Sequence, residues 1–206
     1  MIIMKENQQI ALRGCWRACL KYLALALVLI AVGLWSQGAY IFLKAELGQY
    51  LIGRAWQQSL QSTEPNKPWW WADTWPLAQL RVPSQGITLT VLAGDSGQAL
   101  AFGPGHTTTS AQPGGEGLVL ISGHRDTHFR FLQYLQEGQH IILQNWEGQH
   151  TVYRVSGMQV VSEDVLIETN NNIRSLMLVT CWPFDSSVPS SEHRFIVHAQ
   201  AIASQF

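Results

Sequence analysis

Residues 175–183 read Ser175-Leu176-Met177-Leu178-Val179-Thr180-Cys181-Trp182-Pro183. Four apolar residues run into Thr180 and Cys181, and Pro183 stops the run because it has no amide proton to give to a ladder. The pattern predicts a strand over Ser175–Thr180 with Cys181 at its end, where a side chain emerges at the rim of a sheet. Working outward, the same texture of Val, Ile, Leu and Thr recurs at Leu77–Val82, Ile87–Leu92, Leu118–Ser122, His140–Gln144, Thr151–Val161 and Arg194–Ala201. Turn chemistry separates these runs: Pro83-Ser84-Gln85-Gly86, Gln112-Pro113-Gly114-Gly115, Glu147-Gly148 and Asn170-Asn171-Asn172. Thr127–Leu135 reads as a short helix with Phe131, Leu132 and Leu135 on one side, and Ala99–Phe102 as a helical turn. Seven or eight short strands between Pro76 and Phe206 argue for a mainly β fold, a closed or nearly closed β-barrel. A domain of that length buries a modest core without disulfides.

The 206 residues carry 13 basic and 14 acidic side chains, net −1, which excludes a basic nucleic-acid surface. Charged residues make up only 13%, about half the usual share, and the deficit is local. From Tyr22 to Leu43 there is no charge at all, and 22 such residues suffice to cross a bilayer as a helix. Lys5, Arg13, Arg17 and Lys21 precede the run against Glu6 alone. The positive-inside rule puts residues 1–21 in the cytoplasm and everything after about residue 44 outside. Ser36-Gln37-Gly38 has the small residues of a cleavage site, so a signal peptide is the competing reading. The apolar run continues through Tyr40-Ile41-Phe42-Leu43, which favours an uncleaved anchor in the inner membrane. Residues 44–75 form a helix with Leu47, Leu51, Ala55 and Leu60 at helical spacing, then a linker rich in tryptophan and proline. The tryptophans either lie on the membrane surface or pack on the domain. From Pro76 the chain has six Arg, no Lys and ten acids, so this domain would not grip anionic lipid.

The three cysteines separate cleanly. Cys15 and Cys19 lie before the membrane run and read as small apolar helix residues. Cys181 stands alone in the outer region, where it is buried and inert, paired with another chain, or chemically employed. A thiol nucleophile needs a proton acceptor or a positive neighbour, because the thiolate is the reactive form. Among seven histidines, His124 is distinctive: it leaves the strand Leu118–Ser122 through Gly123, in Ser122-Gly123-His124-Arg125-Asp126. Acyl transfer also needs a group that stabilises an oxyanion. Arg194 opens the last strand between alternating apolar residues, and its guanidinium is permanently charged and forked.

A strand followed by Gly-His-Arg-Asp, then an apolar run into Val-Thr-Cys, then an Arg opening the final strand, resembles the sortase transpeptidases. The segment Gly94–His106 is similar to the one that precedes the catalytic His in sortases of Gram-negative bacteria, the class GN type. The resemblance covers Trp75 to about Ile202, plus the anchor. It implies an eight-stranded sortase barrel outside the membrane, over residues 76–206. It implies Cys181 as a nucleophile forming an acyl-thioester with a C-terminal sorting signal of an envelope protein. His124 would protonate the leaving amine and later help deprotonate an amine acceptor, and Arg194 would stabilise the oxyanion or hold the substrate backbone. Thr180 would aid the oxyanion site. Trp182 either walls the groove or packs, and Asp126 either orients His124 or is a solvated turn residue.

No cofactor and no metal are called for. His124 and His128 have a metal-ligand spacing, but Arg125 and Asp126 after a Gly suggest a turn rather than a helix. Gly94-Asp95-Ser96-Gly97 imitates a serine nucleophile segment without its second Gly and reads as a turn. Two rival functions remain at this point: hydrolysis of the same thioester by water, and a non-catalytic peptide-binding barrel of the envelope.

Overall fold

A computed structural model describes residues 2–62, 64–164, 173–186 and 192–202, with side chains in the first helix from Leu20 onward. The side chains of Cys15 and Cys19 and the Asn170-Asn171-Asn172 turn lie outside the described residues. The chain divides into two compact units, residues 1–47 and 48–206. The first unit is helical, part of α1 (Ile2–Ser59). Leu23, Leu25, Leu27, Leu29, Ile30 and Val32 are all exposed, and the stretch from Leu20 is long and apolar enough to cross a membrane.

The second unit takes in residues 48–75, which the sequence reading assigned to a separate helix and linker. Ile52, Ala55, Trp56 and Ala72 are buried within it. The end of α1 is capped by Ser59, whose hydroxyl donates to the Ala55 carbonyl at 2.9 Å and accepts the Asn66 amide at 2.8 Å. That bond turns the chain back. Ile52, Leu92 and Ala99 then form a small core with Trp69 and Phe102 packed against it.

The barrel has eight strands: β1 (Pro76–Val82), β2 (Ile87–Ala93), β3 (Gly105–His106), β4 (Leu118–Ser122), β5 (His140–Asn145), β6 (His150–Ser162), β7 (Ser175–Trp182) and β8 (His193–Ala201). They close in the order β1-β2-β3-β4-β7-β8-β6-β5. The β2–β3 and β4–β7 pairs are parallel and the rest antiparallel. A helix, α2 (Gly97–Phe102), starts where Ser96 caps the Ala99 amide, so Gly94–Gly97 is the turn that its composition predicts. Alternation sends Leu80, Val91, Val119, Ile121, Ile141, Leu143, Leu176, Leu178 and Val197 into the interior.

Two local expectations differ. The strand β3 has only two residues, too short to show a period, and Gly105 permits it: a Cβ there would collide with the Gly94 backbone. The segment predicted as a helix over Thr127–Leu135 is a run of turns followed by a 3-10 helix at Arg130–Tyr134. Phe129, Phe131, Leu132 and Leu135 all enter the core, which the tighter winding allows.

His106 is buried, its Nε2 within 2.8 Å of the Ala111 carbonyl. Burial lowers its pKa below the ordinary 6.5, against smaller raising effects of that bond and of Asp95. A depressed folded-state pKa means that the neutral ring is the one the fold accepts. Its contribution is whole above the unfolded value and is lost as pH falls through 6.5, because only the unfolded chain takes the proton. The unfolding free energy, and with it the thermal midpoint, should therefore fall as pH drops from about 7.5 to about 5.5, the free energy by at most ~1.4 kcal/mol per pH unit from this residue. His106→Gln should flatten that slope; an unchanged slope would show that His106 is not its source.

Candidate active site

Outward-facing residues of the central strands line up in rows across the barrel wall. On β7 the interior takes Leu176, Leu178 and Thr180, so Met177, Val179 and Cys181 face out. The β7–β8 register sets Met177 opposite His198, Val179 opposite Ile196, and Cys181 opposite Arg194. Directly paired residues share a face, with Cβ atoms about 4.5–5.5 Å apart. On the other side, the β4–β7 register sets Leu120 beside Met177 and Ser122 beside Val179. His124 and Cys181 each stand two residues along the chain beyond that last rung.

The two segments are held by two further bonds. The Gly123 amide donates to the Val179 carbonyl at 3.1 Å, extending the parallel ladder past the strand end. The Thr180 hydroxyl, buried, donates to the Gly123 carbonyl at 2.7 Å. Thr180 thus points to the opposite face from Cys181 and fastens the histidine segment to β7. Gly123 is required by close approach: a Cβ there would meet the fully buried Phe129 ring at 2.8 Å. The His124 carbonyl then accepts the Phe129 amide at 3.0 Å, closing the turn that carries the imidazole.

Arg125 went unnoticed in the sequence because a charged residue after a Gly-His reads as solvated loop. It is only 4% exposed. Its Nε and Nη2 donate to the two carboxylate oxygens of Asp126 at 2.9 and 3.2 Å. Nη1 donates to the Pro183 carbonyl at 2.7 Å and Nη2 to the Ser186 carbonyl at 2.9 Å. One guanidinium therefore ties the His124 segment to the loop that follows Cys181. Hydrogen bonds from Arg125 hold the Asp126 carboxyl below the ordinary carboxylate range. Asp126 spends both oxygens on Arg125.

Arg194 shares the outer face with Cys181, and its guanidinium is engaged sideways. Nη2 bonds Glu163 at 2.7 Å and Nη1 the His193 carbonyl at 3.1 Å. Trp182 stacks on Phe195, centroids 5.7 Å apart, and meets Phe184 edge-on at 5.6 Å. These rings, with Pro183, Asp185, Arg130 and Gln133, line a cleft of about 580 Å³ along the residues that follow Cys181. On the outer wall Leu118, Met177 and Ile196 are buried, with Leu120, Val161 and Val179 packed on them. A second cavity of about 450 Å³ opens at the far end of that wall, over Leu118, Gly157, Met177 and His198. Cys181 is a free thiol, partly accessible.

A model of the sortase domain matches residues 80–202, more than half of the chain. The chain belongs to the sortase family. It is 30% identical over 125 residues to sortase D of Bacillus subtilis, covering 60% of this chain. The chain spans 62% of the length of that curated relative. Sortase A of Corynebacterium diphtheriae superposes with a TM-score of 0.59 at 26% identity, covering 71% of this chain and 68% of that one. A Clostridium perfringens sortase D5 transpeptidase shares the fold at a TM-score of 0.60 and 20% identity, covering 77% and 99% of the two chains. The closed barrel expected from the strand pattern is thus the sortase fold.

In this sortase, Gly123→Ala should cost about 1–3 kcal/mol by overpacking against Phe129. The loss should appear as a lower thermal midpoint with the barrel fold retained. Paired thermal melts with circular dichroism check this; an unchanged midpoint would show that the Phe129 contact is slack.

Proposed function

We propose that this sortase is a membrane-anchored cysteine transpeptidase of a Gram-negative envelope. Residues 22–43 would be the inner-membrane anchor, residues 1–21 cytoplasmic, and the rest periplasmic. The observation that carries the reading is Cys181 paired opposite Arg194 across β7 and β8, with His124 two residues past the end of the parallel neighbour β4. An apolar floor of Leu120, Met177, Val179 and Ile196 leads up to that pair. Such a floor suits the extended C-terminal sorting signal of an envelope protein, whose side chains alternate and whose carbonyls stay near the wall.

The chemistry follows from the atoms. The Cys181 thiolate attacks the carbonyl carbon of the scissile peptide, and the oxygen takes the negative charge. Arg194 stabilises that oxygen once its fork turns from Glu163. An exposed ion pair of this kind is worth only about 0–1 kcal/mol, so the exchange is cheap. The carbon–nitrogen bond breaks as His124 delivers a proton to the departing amine, leaving an acyl-thioester on Cys181. An incoming amine then attacks the thioester carbonyl, its proton passes to His124, and Cys181 leaves as thiolate. Thr180, Arg125 and Asp126 act as positioning residues. Trp182, next to the nucleophile, stacks on Phe195 and lines the cleft formed by the loop that follows. The Gly94–His106 segment supports the Gram-negative assignment.

The test is the intact mass of residues 48–206 after incubation with sorting-signal peptides or envelope proteins of the host. Starting at Gly48 keeps Ile52 and Trp56, which are part of this unit's core. A mass adduct on Cys181 that hydroxylamine releases, and that Cys181→Ala lacks, is the expected result. An amine-linked product identifies transfer; release of free acid alone identifies hydrolysis. An unmodified thiol that also resists alkylation would leave the peptide-binding barrel. Arg194→Lys should slow acylation on the order of 100-fold, since an ammonium cannot reproduce the planar fork. Full rate in that variant removes Arg194 from the mechanism.

A further inference from the structure

Two tryptophans stand largely exposed at a turn, Trp71 touching Trp69 at 6.4 Å between ring centroids. The Ala72 amide donates to the Trp69 carbonyl at 3.0 Å, making a turn with Trp70 and Trp71 at its corners. Such corners usually hold Gly, Asn, Asp or Ser. Here Trp70 is 86% exposed and Trp71 63%, with their rings edge to face at 5.0 Å. Trp69, by contrast, turns inward and meets Phe102 edge-on at 5.4 Å. The Phe102 carbonyl accepts the Gln49 side-chain amide at 2.7 Å. The turn is therefore built onto the edge of the domain that begins at Gly48.

The tether then limits what can cover the patch. Gln49 is six residues past Leu43, the last residue of the uncharged run. Six residues reach at most about 22 Å in any conformation. A domain edge so tethered stays close to the bilayer that the run enters, whose polar interface is roughly 6 Å deep on each side. Trp is the side chain that partitions into that interface, apolar in body and with one N–H for the headgroups. Tyr50, next to Gln49, is also exposed. The acidic balance of the chain from Pro76 on, with no lysine, points to zwitterionic rather than anionic headgroups.

We propose that the Trp70–Trp71 turn is a second membrane contact, seated among zwitterionic headgroups of the bilayer that holds the N-terminal helix. The inference rests on the anchor reading of residues 22–43. Attachment at two points restricts how the domain tumbles, and so holds its peptide groove at one attitude to the membrane surface.

The full chain in phosphatidylcholine nanodiscs tests this by hydroxyl-radical footprinting with residue-level mass spectrometry. Trp70 and Trp71 should label several-fold more slowly than the exposed Tyr134 on the barrel, although indole is the more reactive ring. Lipid brominated near the glycerol backbone should quench an emission component that Trp70→Ala/Trp71→Ala lacks. Slow labelling without that quenching would mean that a second copy of the chain covers the patch, and would overturn the lipid contact. Labelling of Trp70 and Trp71 at the rate of free indole would overturn it too. Trp35, inside the run, is the control: if it labels freely, the anchor reading has failed rather than the docking.

Discussion

The parallel pairing of β4 with β7 governs where everything else in this sortase can be. Neighbouring strands that run the same way end at the same edge of a sheet, whereas antiparallel neighbours end at opposite edges. His124 leaves the C-terminal end of β4 and Cys181 the C-terminal end of β7, so parallel pairing brings both to one rim of the barrel. Arg194 lies at the beginning of β8, which pairs antiparallel to β7, and so reaches the same rim from the other direction. Two strand ends and one strand start therefore meet at one place. The bond from Thr180 to the Gly123 carbonyl, between residues 57 apart in sequence, fixes the step at which they meet.

Polar groups buried near this rim each find a partner, and that shapes the site as much as the strands do. A buried guanidinium such as that of Arg125 costs about 1–3 kcal/mol or more for a donor left without an acceptor. Arg125 supplies donors to Pro183 and Ser186, two loop carbonyls beyond the nucleophile. A lysine could not do this, because it has no planar fork able to hold Asp126 and two carbonyls at once. The loop after Cys181 is thereby coupled to the turn that carries His124. Arg125 and Thr180 thus tie the segments that carry His124 and Cys181 to one another.

The outer wall follows a different rule. A barrel wall normally alternates apolar within and polar without, yet Leu118, Leu120, Met177, Val179 and Ile196 face out and bury one another. This is why the β7 stretch reads as a continuous apolar run and not as an alternation. A strand covered on both faces has no polar side to show. The outer face of β7 is covered by its neighbours on the same wall. Trp182 stacks on Phe195 beside Phe184 and lines the cleft at that end of the strand.

Strand number, the bounds of β4 and the uncharged N-terminal run were legible in the residues, because each rests on local periodicity or on length against bilayer thickness. The order Gly-His, Val-Thr-Cys, Arg along the chain was legible too. The two-residue β3 was not, since a pair of residues has no period. Nor was the 3-10 winding at Arg130–Tyr134, where Phe129 and Phe131 are both drawn into one core. Which ring nitrogen, guanidinium or hydroxyl faces which partner was decided only by tertiary structure. Arg125 under the loop, Arg194 on Glu163 and Thr180 turned inward depend on strand register, and register is a long-range property. Local sequence sets what each residue can do; pairing of distant strands decides what it is placed to do.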